Sequence, residues 1–363
     1  MKKSILLSLL LLSFILGIYG CGNKNVAQDV KIKSEFFTTA KGLPGNSITA
    51  LSYFGRELWA GTKSGLARHD GVQWQVHVKK NTNVLGSEII EALYVGEDAI
   101  YVATDNGVCK YNGNNWASVL TGSRARSVAA KQGEVAMATA HGVDTSSGAG
   151  TVTYSKETAG LVNDEVNVVS YDSTGRLWAG TNAGMGVLSG SAFQNFTGPA
   201  KQIVGNSLVD VPPSPPNCQL SGNNILCIIK FKGLLAIGTT SGLTISDMSN
   251  QWSSFTAAHS DFVQKAGNIV QEQVSGNSPM PGNTVKALTG VSDSILFIGT
   301  NKGLAVKKDN TWLDVSKHFS EISGKSITAL AAQNDELWVG TQEGLYHFTG
   351  ISALTAQNSE PAK

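Results

Sequence analysis

The sequence predicts an all-β protein, a seven-bladed β-propeller of four-stranded antiparallel blades, on three observations. A skeleton of a small residue, Thr, two free positions, Gly and an apolar residue recurs seven times along the chain. Its threonines, Thr62, Thr104, Thr139, Thr181, Thr239, Thr300 and Thr341, are spaced by 42, 35, 42, 58, 61 and 41 residues, and a period near forty is that of one propeller blade. Finally, a strand-like segment precedes the first unit and the last unit ends one strand short, as a ring closed by its two ends requires.

The chain opens on an address. Met1-Lys2-Lys3 is a positive start, and Ile5 to Ile18 is an apolar run shorter than the about 20 residues of a transmembrane helix, so residues 1–20 read as a cleavable export signal. Ile18-Tyr19-Gly20-Cys21 resembles a bacterial lipobox, with Ile18 where Leu is usual. The resemblance implies lipidation of Cys21 and attachment to the membrane through that lipid; an ordinary signal peptide with an incidental Cys21 is the alternative. At about 0.8 kcal/mol per buried CH₂, more than one acyl chain makes a lasting anchor. Gly22, not Asp, follows, which among sorted lipoproteins implies the outer membrane, and residues 21–30 read as a polar tether. The 363 residues are 41% hydrophobic and 15% charged, a globular composition. Lys and Arg number 28 against 27 Asp and Glu, and loss of Lys2 and Lys3 with the leader makes the balance −1, so no basic surface for nucleic acid is expected.

The propeller is expected over residues 31–350. In its first unit Ile48 to Ser52 alternates apolar and polar, and Glu57 to Gly61 is apolar on both alternating faces, as suits a strand covered on both sides. Thr62-Lys63-Ser64-Gly65 fits a four-residue turn with Gly last, and strands follow at Leu66 to His69 and Trp74 to Val78. Outer strands of later units are marked by Trp116, Thr151 to Tyr154, Phe193, Trp252 and Trp312; the third unit is short and lacks the Trp. The seventh stops at Leu345 to Gly350 before a polar tail, residues 351–363, and Glu35 to Thr39 is predicted to supply its missing strand. Two insertions, near 197–222 and 257–282, each join an outer strand to the next inner strand. The first carries the polyproline-type Pro212-Pro213-Ser214-Pro215-Pro216; the second is predicted to hold a short helix over Asp261 to Val274 with Ser260 as cap, weakened by Gly267. Two segments sent over one face form a lid or docking surface, or are decorative loops.

Gly42-Leu43-Pro44-Gly45-Asn46-Ser47-Ile48-Thr49-Ala50-Leu51, followed by Leu58-Trp59-Ala60-Gly61-Thr62 and Gly65-Leu66, resembles the two-component regulator propeller repeat, as does Gly324 to Leu330 with Leu337 to Leu345. The resemblance runs roughly from Phe36 to Gly350 and implies the propeller fold; such propellers often form the periplasmic sensing part of hybrid histidine kinases. Neither a second propeller, an immunoglobulin-like domain nor a kinase follows Gly350 here, so intrinsic signalling is not expected to carry over.

The free pairs of the seven turns, Lys63-Ser64, Asp105-Asn106, Ala140-His141, Asn182-Ala183, Thr240-Ser241, Asn301-Lys302 and Gln342-Glu343, are expected to ring the face that carries the insertions, either as a binding rim or as solvated turns. Lys63 and Lys302 balance Asp105 and Glu343, and a neutral polar rim suits a saccharide, peptide or protein surface. Cys218 and Cys227 are a candidate disulfide, with a buried free thiol at Cys227 as the alternative. The six His residues form no His-x-x-x-His pattern, and no Cys-x-x-Cys occurs, so neither a metal nor a cofactor is expected. Gly324-Lys325-Ser326 mimics the end of a phosphate loop, but Phe319 stands where its first Gly should be, and there is no Gly-x-Ser-x-Gly elbow. The expected function is therefore not enzymatic: a lipid-anchored envelope module binding an unknown protein or saccharide, a sensory or scaffold accessory. The competing class is an envelope lyase or hydrolase acting on carbohydrate or a small molecule.

Overall fold

The computed structural model describes residues 31–82 and 84–356, so the export signal, Cys21 and the tether lie outside the described residues. Seven four-stranded antiparallel sheets follow one another around a ring. Six are consecutive meanders, residues 48–77, 90–121, 127–154, 166–196, 225–255 and 285–313, each running from its inner to its outer strand. The seventh takes Ala329–Gln333, Glu336–Gly340 and Leu345–Thr349 from the C-terminal end and Lys33–Phe37 as its outer strand. Lys33 pairs with Thr349, Phe36 with Tyr346 and Phe37 with Leu345, and the Phe36 and Tyr346 rings lie 4.4 Å apart. The two ends of the polypeptide thus share one sheet.

Why the second strands are apolar on both faces is visible in the cores. Side chains alternate across a strand, so Leu58 and Ala60 enter the core between blades 7 and 1 while Trp59, between them, enters the core between blades 1 and 2. Each neighbouring pair of blades shares one such cluster, seven in all among the described residues. A lone blade would leave both faces in water, so each blade is stable only between two others.

The repeated Thr-x-x-Gly is a hydrogen-bonded unit. Thr62 Oγ1 donates to Gly65 O at 2.8 Å and accepts from Ser64 N–H at 3.0 Å, and the donation recurs at Thr104, Thr139, Thr181, Thr239, Thr300 and Thr341 over 2.8 to 3.1 Å. The threonine is buried in all seven, where an unpaired hydroxyl would cost about 1–3 kcal/mol. Glycine ends the motif because its φ, between +104° and +156° across the seven, is one that L side chains rarely adopt.

Three sequence expectations change. Residues 259–274 are not a helix but a β-hairpin, His259–Lys265 with Asn268–Val274, because Ala266 and Gly267 take φ of +48° and +81°, the two left-handed positions of a tight hairpin turn. Cys218 and Cys227 form no disulfide: both are free thiols, Cys218 in the core between blades 4 and 5 and Cys227 against the core between blades 5 and 6. Burial pushes the Cys227 thiol up to about 12. The polar tail begins later than residue 351, since Ile351 and Leu354 are buried in the core between blades 6 and 7.

The closing seam holds two histidines. His347 stacks on Trp338 with centroids 3.8 Å apart, His69 lies 5.7 Å from the same ring, and Tyr53 OH donates to Glu336 at 2.8 Å while accepting from Trp338 Nε1–H at 2.9 Å. Burial holds both histidines below the usual imidazole range, with Glu336 and Glu35 partly opposing it. The neutral form is therefore the folded form. As pH falls through about 6.5 the unfolded chain takes up protons first, and stability drops until the lowered folded values are reached. Melting temperature is expected to fall between pH 7 and pH 5, and His69→Gln with His347→Gln should flatten that slope in thermal melts; an unchanged slope would discount the seam.

Candidate functional site

Both insertions are β-hairpins on the same face of the ring. The first, Ala200–Val204 with Ser207–Val211, joins blade 4 to blade 5, and the second joins blade 5 to blade 6. Each is fixed at its foot by an asparagine whose amide pairs with main chain. Asn223 Oδ1 accepts from Gly198 N–H at 2.7 Å while its Nδ2 donates to Gly198 O at 3.2 Å; Asn283 does the same to Ala257 at 2.6 and 3.2 Å. A bridge between Thr197 and Ser214 closes the first hairpin just before the predicted proline stretch ends.

The hairpins are then clamped to each other. Lys201 Nζ reaches Asp261 Oδ2 at 2.8 Å and Phe262 O at 3.2 Å, and that hydrogen bond holds the Asp261 carboxyl below the usual carboxylate range. Gln264 stands in for a strand: its Oε1 accepts from Leu208 N–H at 2.7 Å and its Nε2 donates to Asn206 O at 3.1 Å. Beneath them lies a cavity of about 890 Å³, with Ile203, Leu208, Phe262, His259, Thr240 and Ser241 in its walls. Its size is at the upper end for a ligand site. His259 Nδ1 lies 3.1 Å from Ala257 O, a carbonyl that can only accept, which fixes the Nδ1–H tautomer. Ala266 in a left-handed turn position costs the second hairpin about 1 kcal/mol. Ala266→Asn, suited to that turn, is expected to recover up to about 1 kcal/mol, read as slower amide exchange over residues 259–274; faster exchange would contradict the turn assignment.

The turn pairs do ring this face, since Asp105, Asn182, Thr240 and Asn301 each donate their N–H to the link that leads into their own blade's inner strand. They do not converge on one site. Thr240 and Ser241 line the hairpin cavity, whereas Lys302 lines a separate one of about 340 Å³ with Trp312, Asp314 and Phe319. Asn182 accepts from Asn167 Nδ2–H at 2.8 Å, Asn106 Nδ2 reaches Gly86 O at 3.5 Å, and Glu343 pairs with Lys325. Lys63, Ser64, His141 and Gln342 are exposed turn residues.

A second ring escaped the sequence reading. The inner strands of neighbouring blades lie against one another around the axis, and in five blades the second inner residue is bulged out of register: Thr49, Glu91, Asn167, Leu226 and Lys286. With Arg126 and Thr328 they make seven positions, 13 or 14 residues before each repeated Thr, and that fixed offset was the available signal. They stitch blade to blade: Asn167 Nδ2 donates to Ile225 O at 2.9 Å and Thr328 Oγ1 to Ile48 O at 2.7 Å. Two of their charges are paired, Glu91 with Arg124 and Arg126 with Glu165, while Lys286 Nζ donates to Ser326 Oγ at 3.0 Å. Among the described residues no cluster of His, Cys, Asp and Glu could hold a metal ion.

No family model matches the chain, and no curated protein matches it. Solved structures do. The extracellular domain of BT4673 from B. thetaiotaomicron, assigned to a one-component system, is similar with TM-score 0.63 at 16% identity, over 87% of this chain and 39% of that one. The extracellular domain of BT3049 from B. thetaiotaomicron, assigned to a hybrid two-component system, is similar with TM-score 0.63 at 16% identity, over 87% of this chain and 42% of that one. The chain thus spans about two-fifths of the length of these domains. Virginiamycin B lyase from Staphylococcus aureus is similar with TM-score 0.60 at 10% identity, over 88% and 99% of the two chains. At these identities the likeness is one of fold, and the fold is what this chain has in common with all three.

Proposed function

We propose that the chain is a binding module of the bacterial envelope, held at the membrane by a lipid on Cys21, that captures a protein or saccharide ligand on the face carrying the two hairpins. The cavity of about 890 Å³ between those hairpins carries the reading. A sensory or scaffold role fits the likeness to extracellular domains of sensor systems.

The test is crosslinking and mass spectrometry on native membranes. Replacing residues 200–211 and 259–274 by short Gly-Ser linkers should remove the neighbours seen with the natural chain and leave the melting temperature within a few degrees, because the blade cores are untouched. Cys21→Ser should release the protein from membranes and abolish the acyl mass. An unchanged set of crosslinked neighbours in the hairpin-less variant would sink the binding role of this face.

A further inference from the structure

On that same reading of the face, we infer the class of ligand: an extended polypeptide segment, apolar at alternate residues and free of acidic side chains, that adds as a strand to the free edge of Ala200–Val204. The argument starts from the direction of one amide. In an antiparallel pair, opposite residues alternate between those that bond across the pair and those whose N–H and C=O point away. Leu208 sends its N–H out of the hairpin to Gln264, so Leu208 and its partner Ile203 are of the second kind. Two residues on, so are Lys201 and Asp210. Ile203 and Lys201 therefore turn their main-chain donors and acceptors to the outer edge of the first hairpin, where they meet no partner among the described residues.

Edges of this kind are normally blunted by Pro, a bulge or an inward charge. This one has none of them. Its register is continuous, residues 200–204 contain no Pro, and its single charge, Lys201, is engaged by Asp261. The second hairpin's outer edge, Asn268–Val274, is free as well, but only the first lines the cavity, through Ala200, Lys201 and Ile203. Ile203 and Phe262, which line the cavity with Leu208, are 59% and 52% exposed, while Val204 and Val209 are exposed on the hairpin's other face. A strand laid on this edge would satisfy the outward main-chain groups and send every second side chain toward Ile203, Leu208 and Phe262. Main-chain bonds then give affinity and alternate side chains give selectivity. Lys201 and Asp261 neutralise each other, and the exposed Asp210 carboxylate in the same cavity wall disfavours an anionic segment.

The test pans a phage-displayed random octapeptide library against the full chain and measures the enriched peptides as synthetic ligands. Ile203→Pro deletes one outward donor and spares the bonds between the hairpin strands, a position where an edge tolerates Pro. Alternately apolar peptides without acidic residues are expected to enrich, to lose at least tenfold in affinity on the Ile203→Pro protein, and to lose as much when methylated at alternate main-chain nitrogens. The methylated peptides keep the test valid even if Ile203→Pro disturbs the hairpin. No enrichment, equal binding to both proteins, or indifference to methylation would overturn strand addition. So would co-sedimentation with phosphatidylethanolamine and phosphatidylglycerol vesicles that Ile203→Ser with Phe262→Ser abolishes, which would name a lipid surface instead. If the hairpin-less variant loses its neighbours in native membranes while no peptide enriches, the binding face stands and only the strand-addition inference fails.

Discussion

Deleting residues 31–38 is expected to open the ring and cost on the order of 5 kcal/mol or more, because the deletion removes a buried aromatic, itself worth about 3–5 kcal/mol, together with a whole strand's pairing. Phe37 is 8% exposed and sits 5.5 Å from Trp338 and 5.9 Å from Trp74, joining blade 7 to blade 1. Without it the core between those blades gapes, and Leu345–Thr349 becomes an edge strand. The melting temperature should fall by roughly 10 °C, and amides of Leu345–Thr349 should exchange fastest among the blade strands. A synthetic peptide of residues 30–39 added in trans should restore both. Phe37→Ala alone should reproduce about 3 kcal/mol of the loss; Phe36→Ala, at 36% exposure, should cost far less. If the truncated chain melted where the full chain does, closure by the N-terminal strand would not be what holds the disc.

That closure was legible before any coordinates because it rests on counting strands, and the count follows from a period repeated seven times. The blade cores were legible for a similar reason: Leu58-Trp59-Ala60 is apolar at successive positions only because its two faces meet two different neighbours. What failed was local. Phe262, Val263, Ile269 and Val270 fall on a helical stripe as readily as on two short strands, and over so short a run the period does not decide. Ala266-Gly267 decided it, through two left-handed residues. The disulfide failed by parity. Cys227 and Ile228 are adjacent, yet Ile228 enters the core between blades 4 and 5, where Cys218 lies, and Cys227 faces the other way. The site was half legible. Its face followed from topology, whereas the cavity depends on Lys201, Gln264, Asn223 and Asn283 meeting partners 25 to 60 residues away, and no local pattern announces such meetings.

Gly340→Val is expected to destabilise the chain by about 3 kcal/mol or more, at the upper end for overpacking a core. A Cβ at Gly340 would lie 2.6 Å from Ile48 Cγ2, 2.9 Å from Ile48 Cβ and 3.3 Å from Ala329 Cβ. Neither neighbour can retreat, since Ile48 is 1% exposed and Ala329 belongs to the pairing strand. The glycine before four of the repeated threonines has this one cause, since Gly61 faces Ile90 at 2.5 Å, Gly180 faces Ile225 at 2.6 Å and Gly299 faces Ile327 at 2.6 Å as Gly340 faces Ile48; Gly238 meets Cys227 Sγ at 2.5 Å and Val285 Cγ1 at 2.7 Å, and blade 3 carries Ala138 against Val166. Blade 2 varies the pair and keeps its sum, with Ala103 in the glycine's place and Ala125 where the isoleucine would be. Transplanting that pair gives the decisive measurement. Gly340→Ala should cost about 1–3 kcal/mol, less whatever the stiffer unfolded chain returns. Ile48→Ala should cost about 2–5 kcal/mol. The two together should cost less than their sum by about 1–3 kcal/mol, read from urea unfolding midpoints at constant slope. Additivity to within about 0.5 kcal/mol would mean that the glycine answers to the conformation of its own strand, and that the repeat is not a record of one blade fitting the next.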